Sequence, residues 1–450
     1  MSALTQYIDL YRQSRAEISA GSAGALNALR PAALEALEGC RLPDRSDEGF
    51  EKTSIDAMFA PDFGVNINRI ALPCDVASAF KCGVPNVSSL LAVLVNDRFV
   101  PTAPLLKNLP DGVTVMSLAK AAELYPDIVS RHYGSVASLK SPGTALNTLL
   151  AQDGVFIRIG RGVRLDKPIQ IVTLSSAPVP MLTVRRMLII AEPGSEATIL
   201  TCDHAMTPDI PSLASQVVEV IAGEGARIDI CDIEESAAKS SRYSQLYARQ
   251  EAGSDLAIGS MTLRNGSTRN EFSVNICGPR CESRISGMAI GSAAQHIDNS
   301  SNITHGAPRS RSNQLFKYVL DDKSTGAFEG SIEVTPDAPF TEAFQTDRNI
   351  LASPDARMHT KPQLLIYNDD VKCSHGATTG QLDEQALFYM RSRGIPLDEA
   401  RMMLMQAFMT EVVDTIRVEA LRDRLRHLVE RRLAGLDASC SECSAGCKSE

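Results

Sequence analysis

A cysteine and a histidine stand two residues apart in the segment DDVKCSHGATTGQLDEQ, which spans residues 369–385. On a β-strand, side chains at positions i and i+2 point to the same face, so Cys373 and His375 would project together. A thiolate and an imidazole suit a soft metal such as iron or zinc. Two ligands do not close a tetrahedral site, so a second chain or a ligand would have to supply the rest. The alternative is a buried cysteine beside a hydrogen-bonded histidine, and the spacing alone favours that alternative.

The end of the chain carries a second group of thiols. Cys440, Cys443 and Cys447 form the spacing C-x2-C-x3-C within a polar tail, residues 437–450, that we expect to be disordered. Three thiols could hold zinc or an iron–sulfur cluster, but the set is again one ligand short. A reduced, solvent-exposed tail is the simpler interpretation.

Composition excludes several classes of protein. The net charge of −9 over 450 residues argues against nucleic acid as a partner, because phosphates attract clustered Lys and Arg. No apolar run reaches the ~18 residues of a membrane span, and the N-terminal segment lacks a signal-peptide core. The 11 cysteines are odd in number and scattered, unlike a disulfide framework. We therefore expect a cytoplasmic protein that does not span a membrane.

The elements that must position these residues change character along the chain. Residues 1–145 predict a mainly helical domain, with helical runs at 32–40 (AALEALEGC) and 87–100 (VSSLLAVLVNDRFV). From 146 to 380 the period changes to two, and short β-rich runs such as GVFIRI and QVVEVI follow one another without helices between them. Residues 381–436 return to helical patterns, in which Asp383 can cap a helix that Gly394 ends.

The β-rich region contains a near-repeat of strand, glycine turn and strand. The turn glycines Gly194, Gly225, Gly253 and Gly278 lie 31, 28 and 25 residues apart. Glycine suits such corners because it accepts a positive φ without steric cost. Periods of about 20–50 residues indicate solenoids or propellers, and a parallel β-helix fits best because no long helices are needed. The spacing drifts, so an antiparallel sandwich or barrel stays an alternative.

Several catalytic motifs are missing. There is no G-x4-G-K-[ST] phosphate loop, no G-x-S-x-G elbow and no convincing dinucleotide fingerprint. A β-helix could instead cleave polysaccharide with paired carboxylates, which the segment CDIEES (231–236) might offer. Sugar clefts commonly stack rings on aromatic side chains, and a chain without Trp is a poor candidate.

The segment DVKCSHGATTGQLDEQALFYMRSRGI (370–395) resembles the C-terminal signature of the SufB/SufD family of the SUF iron–sulfur assembly system. The segments 153–172 and 346–373 also resemble that family's entry into, and last coils of, its β-helix. The wording around Cys373 is closer to the SufD side than to the SufB side. The segment 47–69 departs from the family's more usual tryptophan-bearing motif.

The resemblance implies a mainly β fold, a right-handed parallel β-helix flanked by N-terminal and C-terminal helical domains. It implies a non-catalytic scaffold subunit that pairs end to end with SufB, or with itself as a homodimer when isolated. A transient iron–sulfur cluster would form at the shared junction, near His375 and, less certainly placed, Cys373. The SufC ATPase would dock on the C-terminal helices and bind the ATP, so this chain would bind none. An inert structural adaptor is the remaining alternative. The docking residues expected there are Phe388, Tyr389, Arg391 and Arg393.

Overall fold

The fold is given by a computed structural model that describes residues 2–74, 76 and 89–435. The helices are α1 (Ala3–Gln13), α2 (Arg15–Ala20), α3 (Gly24–Ala28), α4 (Arg30–Leu37), α5 (Ile55–Phe59), α6 (Ala103–Asn108), α7 (Leu118–Leu124), α8 (Pro126–His132), α9 (Pro142–Leu150), α10 (Glu384–Ser392), α11 (Leu397–Val413) and α12 (Glu419–Leu433). The strands are β1 (Gly64–Val65), β2 (Leu90–Val95), β3 (Arg98–Val100), β4 (Val113–Ser117), β5 (Val155–Ile159), β6 (Ile169–Ser175), β7 (Met181–Ala191), β8 (Glu196–Ala205), β9 (Ser212–Ala222), β10 (Arg227–Glu235), β11 (Ser240–Gln250), β12 (Asp255–Arg264), β13 (Ser267–Ile276), β14 (Glu282–Gly291), β15 (His296–His305), β16 (Arg311–Leu320), β17 (Thr325–Val334), β18 (Thr341–Leu351), β19 (Arg357–Ile366) and β20 (Val371–Gly380).

Two parallel sheets face each other along the β-rich region. Sheet A runs in the order β19-β17-β15-β13-β11-β9-β7-β5-β4, and sheet B in the order β20-β18-β16-β14-β12-β10-β8-β6-β2-β3. Consecutive strands from β5 onward alternate between the sheets, so each pair of strands forms one coil and β5–β20 form eight coils. This confirms the predicted fold class, a parallel β-helix with helices at both ends.

Inward side chains of successive coils stack into an apolar core. Ile189, Val220, Ile228, Leu256 and Ile285 are all within 5% exposure and belong to one cluster between the sheets. Burying a large aliphatic side chain contributes about 1.5–3 kcal/mol relative to leaving it in water. The alternation of the sequence thus places one face of every strand inside the β-helix.

The corner from sheet A to sheet B contains a residue with positive φ in most coils. These residues are Gly162, Gly194, Gly225, Gly253, Arg280, Arg309 and Phe340, and they recur at intervals of 27 to 32 residues. The expectation for Gly278 is therefore wrong, because the left-handed residue of its corner is Arg280. Gly278 is needed for a different reason: a Cβ there would lie 2.1 Å from the backbone nitrogen of Ala252.

The helical prediction for 87–100 is also wrong within the described part of that segment, residues 89–100. These residues form β2 and β3, an antiparallel pair joined at Asn96, which has a φ of 58°. Strand β2 also pairs in parallel with β6 and so extends sheet B. A continuous apolar run is compatible with a buried helix or a buried strand, and here the free edge of the sheet decided between them.

Helices cover the outer faces of both sheets. The N-terminal helices α1, α4, α5 and α9 contribute to a cluster that includes Leu182, Val184 and Leu213 of sheet A. Helices α11 and α12 pack on sheet B. Arg417, between them, contacts Asp229 and Asp255 at 2.7 Å each. In the described ranges, no helix combines the length and the apolar character that a membrane crossing requires.

Candidate functional site

The last strand, β20, carries the cysteine–histidine pair. In the register with β18, Cys373 lies beside Ala343 and His375 beside Gln345. Ala343 and Gln345 are buried side chains of the inward face, at 0% and 2% exposure. Cys373 and His375 therefore belong to the same inward column, as their spacing predicted.

The two side chains nevertheless differ in environment. Cys373 is half-buried and packs against a small apolar cluster that includes Ile332, Val334 and Leu364. Burial raises the pKa of the Cys373 thiol, and a backbone hydrogen bond from Ala343 only partly offsets this. His375 is exposed although it lies in the inward column, since no further coil covers β20 in the described residues.

Strands β19 and β20 form the open end of the β-helix, which we call the rim. Each pairs laterally with one strand of its sheet, β19 with β17 and β20 with β18, so that the opposite edge is free in the part of the chain described. Large apolar side chains are exposed here: Leu365 (43%), Ile366 (37%) and Tyr367 (60%). We call these three residues the rim patch. Exposed edges and apolar patches are typical of interaction surfaces.

The residues predicted for docking on α10 are exposed. Phe388 and Tyr389 have 76% and 59% of their surface accessible, and α10 has no buried residue. Asp383 caps the helix by accepting hydrogen bonds from the backbone N–H groups of Gln385 and Ala386, as predicted. Arg393 donates to the Tyr389 hydroxyl at 3.1 Å.

Arg391 is exposed on the same helix. The helix thus presents two aromatic rings with flanking guanidinium groups to solvent. Both residue types are enriched at protein interfaces.

The tail thiols Cys440, Cys443 and Cys447 lie outside the described residues. Across the described part of the chain, no group of three His, Cys, Asp or Glu side chains is arranged to hold a metal ion. The pair on β20 is therefore an incomplete ligand set, in agreement with the expectation from its spacing.

The carboxylates of the segment 231–236 do not resemble a glycosidase pair. Asp232 and Glu234 both lie near the buried Arg242, with N···O distances of 2.8 and 3.6 Å. Glu234 also accepts hydrogen bonds from the Thr268 hydroxyl at 2.8 and 2.9 Å. These groups form a buried ion network that stabilises neighbouring coils, and this disfavours the carbohydrate-active alternative.

Sequence reasoning missed a row of polar side chains directly below the rim. Gln345, Asp347 and Asn349 occupy three consecutive inward positions of β18 and are buried. The signal was available in the alternation of the segment TEAFQTDRNIL (341–351), once its inward face is known. The register needed to choose that face came only from the structure.

A parallel β-helix that carries a thiol and an imidazole at an uncapped end defines the class of protein. Comparisons with known proteins agree with it. Residues 173–408 match the family described as SUF system FeS cluster assembly, SufBD core domain. Residues 1–171 match the SufBD protein N-terminal region. The chain therefore belongs to the SufB/SufD family of iron–sulfur cluster assembly proteins.

Relatives with assigned names extend over most of the chain. An iron-sulfur cluster assembly SufBD family protein of Synechocystis is 28% identical over 411 residues, covering 90% of each chain. The iron-sulfur cluster assembly protein SufD of Escherichia coli is 27% identical, covering 89% of this chain and 92% of its own. SufD of Bacillus subtilis is 25% identical, covering 72% of this chain and 74% of its own.

Proposed function

We propose that this chain is a non-catalytic scaffold subunit that pairs with SufB through its rim and so completes a site for a nascent iron–sulfur cluster. SufC, the ATPase, docks on the C-terminal helices, and ATP is bound there rather than by this chain. The cluster is the cargo of the complex and leaves it. The seven described cysteines are all free thiols, which suits a reducing compartment such as the cytoplasm.

The observation that carries the proposal is the uncapped end. Strand edges present unpaired N–H and C=O groups, and an unprotected edge is a template for another chain. A sister β-helix can continue both sheets by adding its own strands there. The same end holds His375, so pairing brings the partner's groups to the incomplete ligand set.

The rim patch supplies an apolar contribution to that pairing. Leu365, Ile366 and Tyr367 are exposed in the isolated chain. Each would contribute on the order of 1.5–3 kcal/mol if fully buried by a partner. A second copy of the chain presents the same patch, so the isolated protein forms a homodimer through the rim at high concentration.

Helix α10 is the proposed contact for SufC. Its exposed Phe388 and Tyr389 have no apolar neighbour that buries them in the described chain. Arg391 and Arg393 add positive charge beside these rings. Nucleotide binding to the docked ATPase can then shift the position of the C-terminal helices relative to the rim, provided that SufC binds the two arrangements with different affinity.

The ligand role of His375 is tested by replacing it with alanine in the reconstituted complex with SufB and SufC. The yield of cluster after anaerobic reconstitution with iron and sulfide is measured by visible absorption and Mössbauer spectroscopy. His375→Ala is expected to reduce the yield by at least about tenfold, because one of few available ligands is lost.

Ser374→Ala is the matched control, since Ser374 is exposed on the same strand but belongs to the opposite face. The control is expected to assemble cluster at the wild-type level. Wild-type yield from a folded His375→Ala complex would overturn the site assignment.

A further inference from the structure

The coil below the rim has an interior that is polar rather than apolar along half of its strand. The inward side chains of β18 after Ala343 are Gln345, Asp347 and Asn349, at 2%, 0% and 4% exposure. One coil deeper, their register partners on β16 are Gln314, Phe316 and Tyr318. Polarity therefore increases toward the open end.

Each of the three β18 side chains has a buried oxygen without a hydrogen-bond partner in the described chain: Gln345 Oε1, Asp347 Oδ1 and Asn349 Oδ1. Their N–H groups are already used. Gln345 Nε2 donates to Gln314 Oε1 at 3.2 Å, and Asn349 Nδ2 donates to Asp347 Oδ2 at 2.8 Å.

These donor bonds fix which way the amides face. The Gln314 oxygen already accepts from the Ser301 hydroxyl, so the Gln345 group that faces it is the nitrogen. Likewise, only the amide nitrogen of Asn349 can donate to a carboxylate. What remains open in the row is a set of acceptor oxygens.

Leaving an acceptor buried and unpaired costs about 1–3 kcal/mol. Asp347 also has no ion-pair partner within the described residues, unlike the buried carboxylates near Arg185, Arg186 and Arg242. Burial raises the pKa of Asp347 to about 6, and the neighbouring Asn349 and Thr360 only partly offset this. The row thus lacks positive charge.

The space above the row lies on the side of the cysteine–histidine pair. The β20 partners of Gln345, Asp347 and Asn349 are His375, Ala377 and Thr379. Ala377 covers Asp347 with only a methyl group. On the facing sheet, the hydroxyl of Thr360 near Asp347 also has no hydrogen bond of good geometry.

We propose that Asp347, with the amide oxygens of Gln345 and Asn349, binds a partly hydrated divalent cation just below His375. Carboxylate and amide oxygens with water are the ligands that hard divalent ions prefer. That the ion is ferrous iron, held one strand below the cluster ligand, rests on the proposed function. Cation binding itself does not depend on that function.

The test uses the full, metal-stripped chain and Mn²⁺ as a redox-stable probe, with free Mn²⁺ followed by electron paramagnetic resonance. The wild type is expected to bind one equivalent saturably. Asp347→Asn is expected to weaken binding at least about tenfold, because the only carboxylate of the row is lost. Asp355→Asn, which changes an exposed carboxylate in the turn before β19, is the control and is expected to bind normally.

A second variant protects the test against misfolding of the first. Gln345→Leu keeps the size of the side chain and removes one oxygen, and it is expected to weaken Mn²⁺ binding as well. No saturable binding by the wild type, or equal binding by folded Asp347→Asn, would show that the row holds only water and would overturn the proposal. His375→Ala is expected to retain Mn²⁺ binding, so that failure of cluster assembly and failure of cation binding are separable.

Discussion

At the residue scale, the central feature is that two side chains of one inward column have different environments. Cys373 is half-buried against apolar neighbours, whereas His375 is exposed. The sequence could predict that they share a face, because that depends only on a period of two. It could not predict their burial, because burial depends on which coil is the last and on what the neighbouring strands contribute.

The environment of Cys373 predicts slow chemical modification. The thiolate is the reactive form, and burial raises the pKa of the Cys373 thiol. In the isolated chain, Cys373 is expected to react with iodoacetamide several-fold more slowly than Cys40, which is exposed on the N-terminal region. Mass spectrometry of tryptic peptides after timed labelling measures both rates. Equal rates would show that Cys373 is not protected by packing.

At the element scale, the coil period was visible in the sequence, but its exact form was not. The corner residues Gly194, Gly225 and Gly253 have the positive φ that the glycine pattern predicted. In later coils Arg280 and Arg309 take the same conformation, so a search for glycine loses the repeat. The drift in spacing reflected this change of residue type rather than a change in coil length.

The interior of the later coils also contains polar groups that a purely apolar core would exclude. His305, at the end of β15, is 0% exposed, and its Nε2 lies 2.8 Å from the Ser312 hydroxyl. Burial lowers the pKa of His305 to about 4. The imidazole is therefore neutral in the folded chain at pH values where the unfolded chain would be protonated.

This difference predicts an acid-dependent loss of stability. The unfolded state binds the extra proton between pH ~6.5 and ~4, so stability is present above that window and falls as the pH decreases through it. From pH 7.5 to pH 5, His305 alone is expected to remove about 2 kcal/mol from the free energy of unfolding.

Urea unfolding of the wild type and of His305→Gln at both pH values measures the effect. The variant starts less stable, because the buried site is changed, but its stability is expected to fall less between the two pH values. An equal decrease in both proteins would mean that His305 does not contribute to the acid sensitivity.

At the scale of the whole molecule, helices cover the outer faces of both sheets and the last coil is left open. The N-terminal helices pack on sheet A, and α11 and α12 pack on sheet B. Packing physics explains why the sheets need these covers, since a sheet face rich in Leu and Val is stable only when buried. It does not say which partner meets the open end, and that expectation came from the resemblance of residues 370–395 to a known family.

The most direct test of the account is site-specific photo-crosslinking of the assembled complex from Thr378, which is exposed on β20. A photoreactive phenylalanine analogue at this position is expected to crosslink to SufB, while the same group at the exposed Lys140 of the N-terminal region crosslinks to neither partner. A complex that contains SufB but shows crosslinks only from position 140, or none from 378, would contradict the claim that the open end of the β-helix is the partner-binding surface.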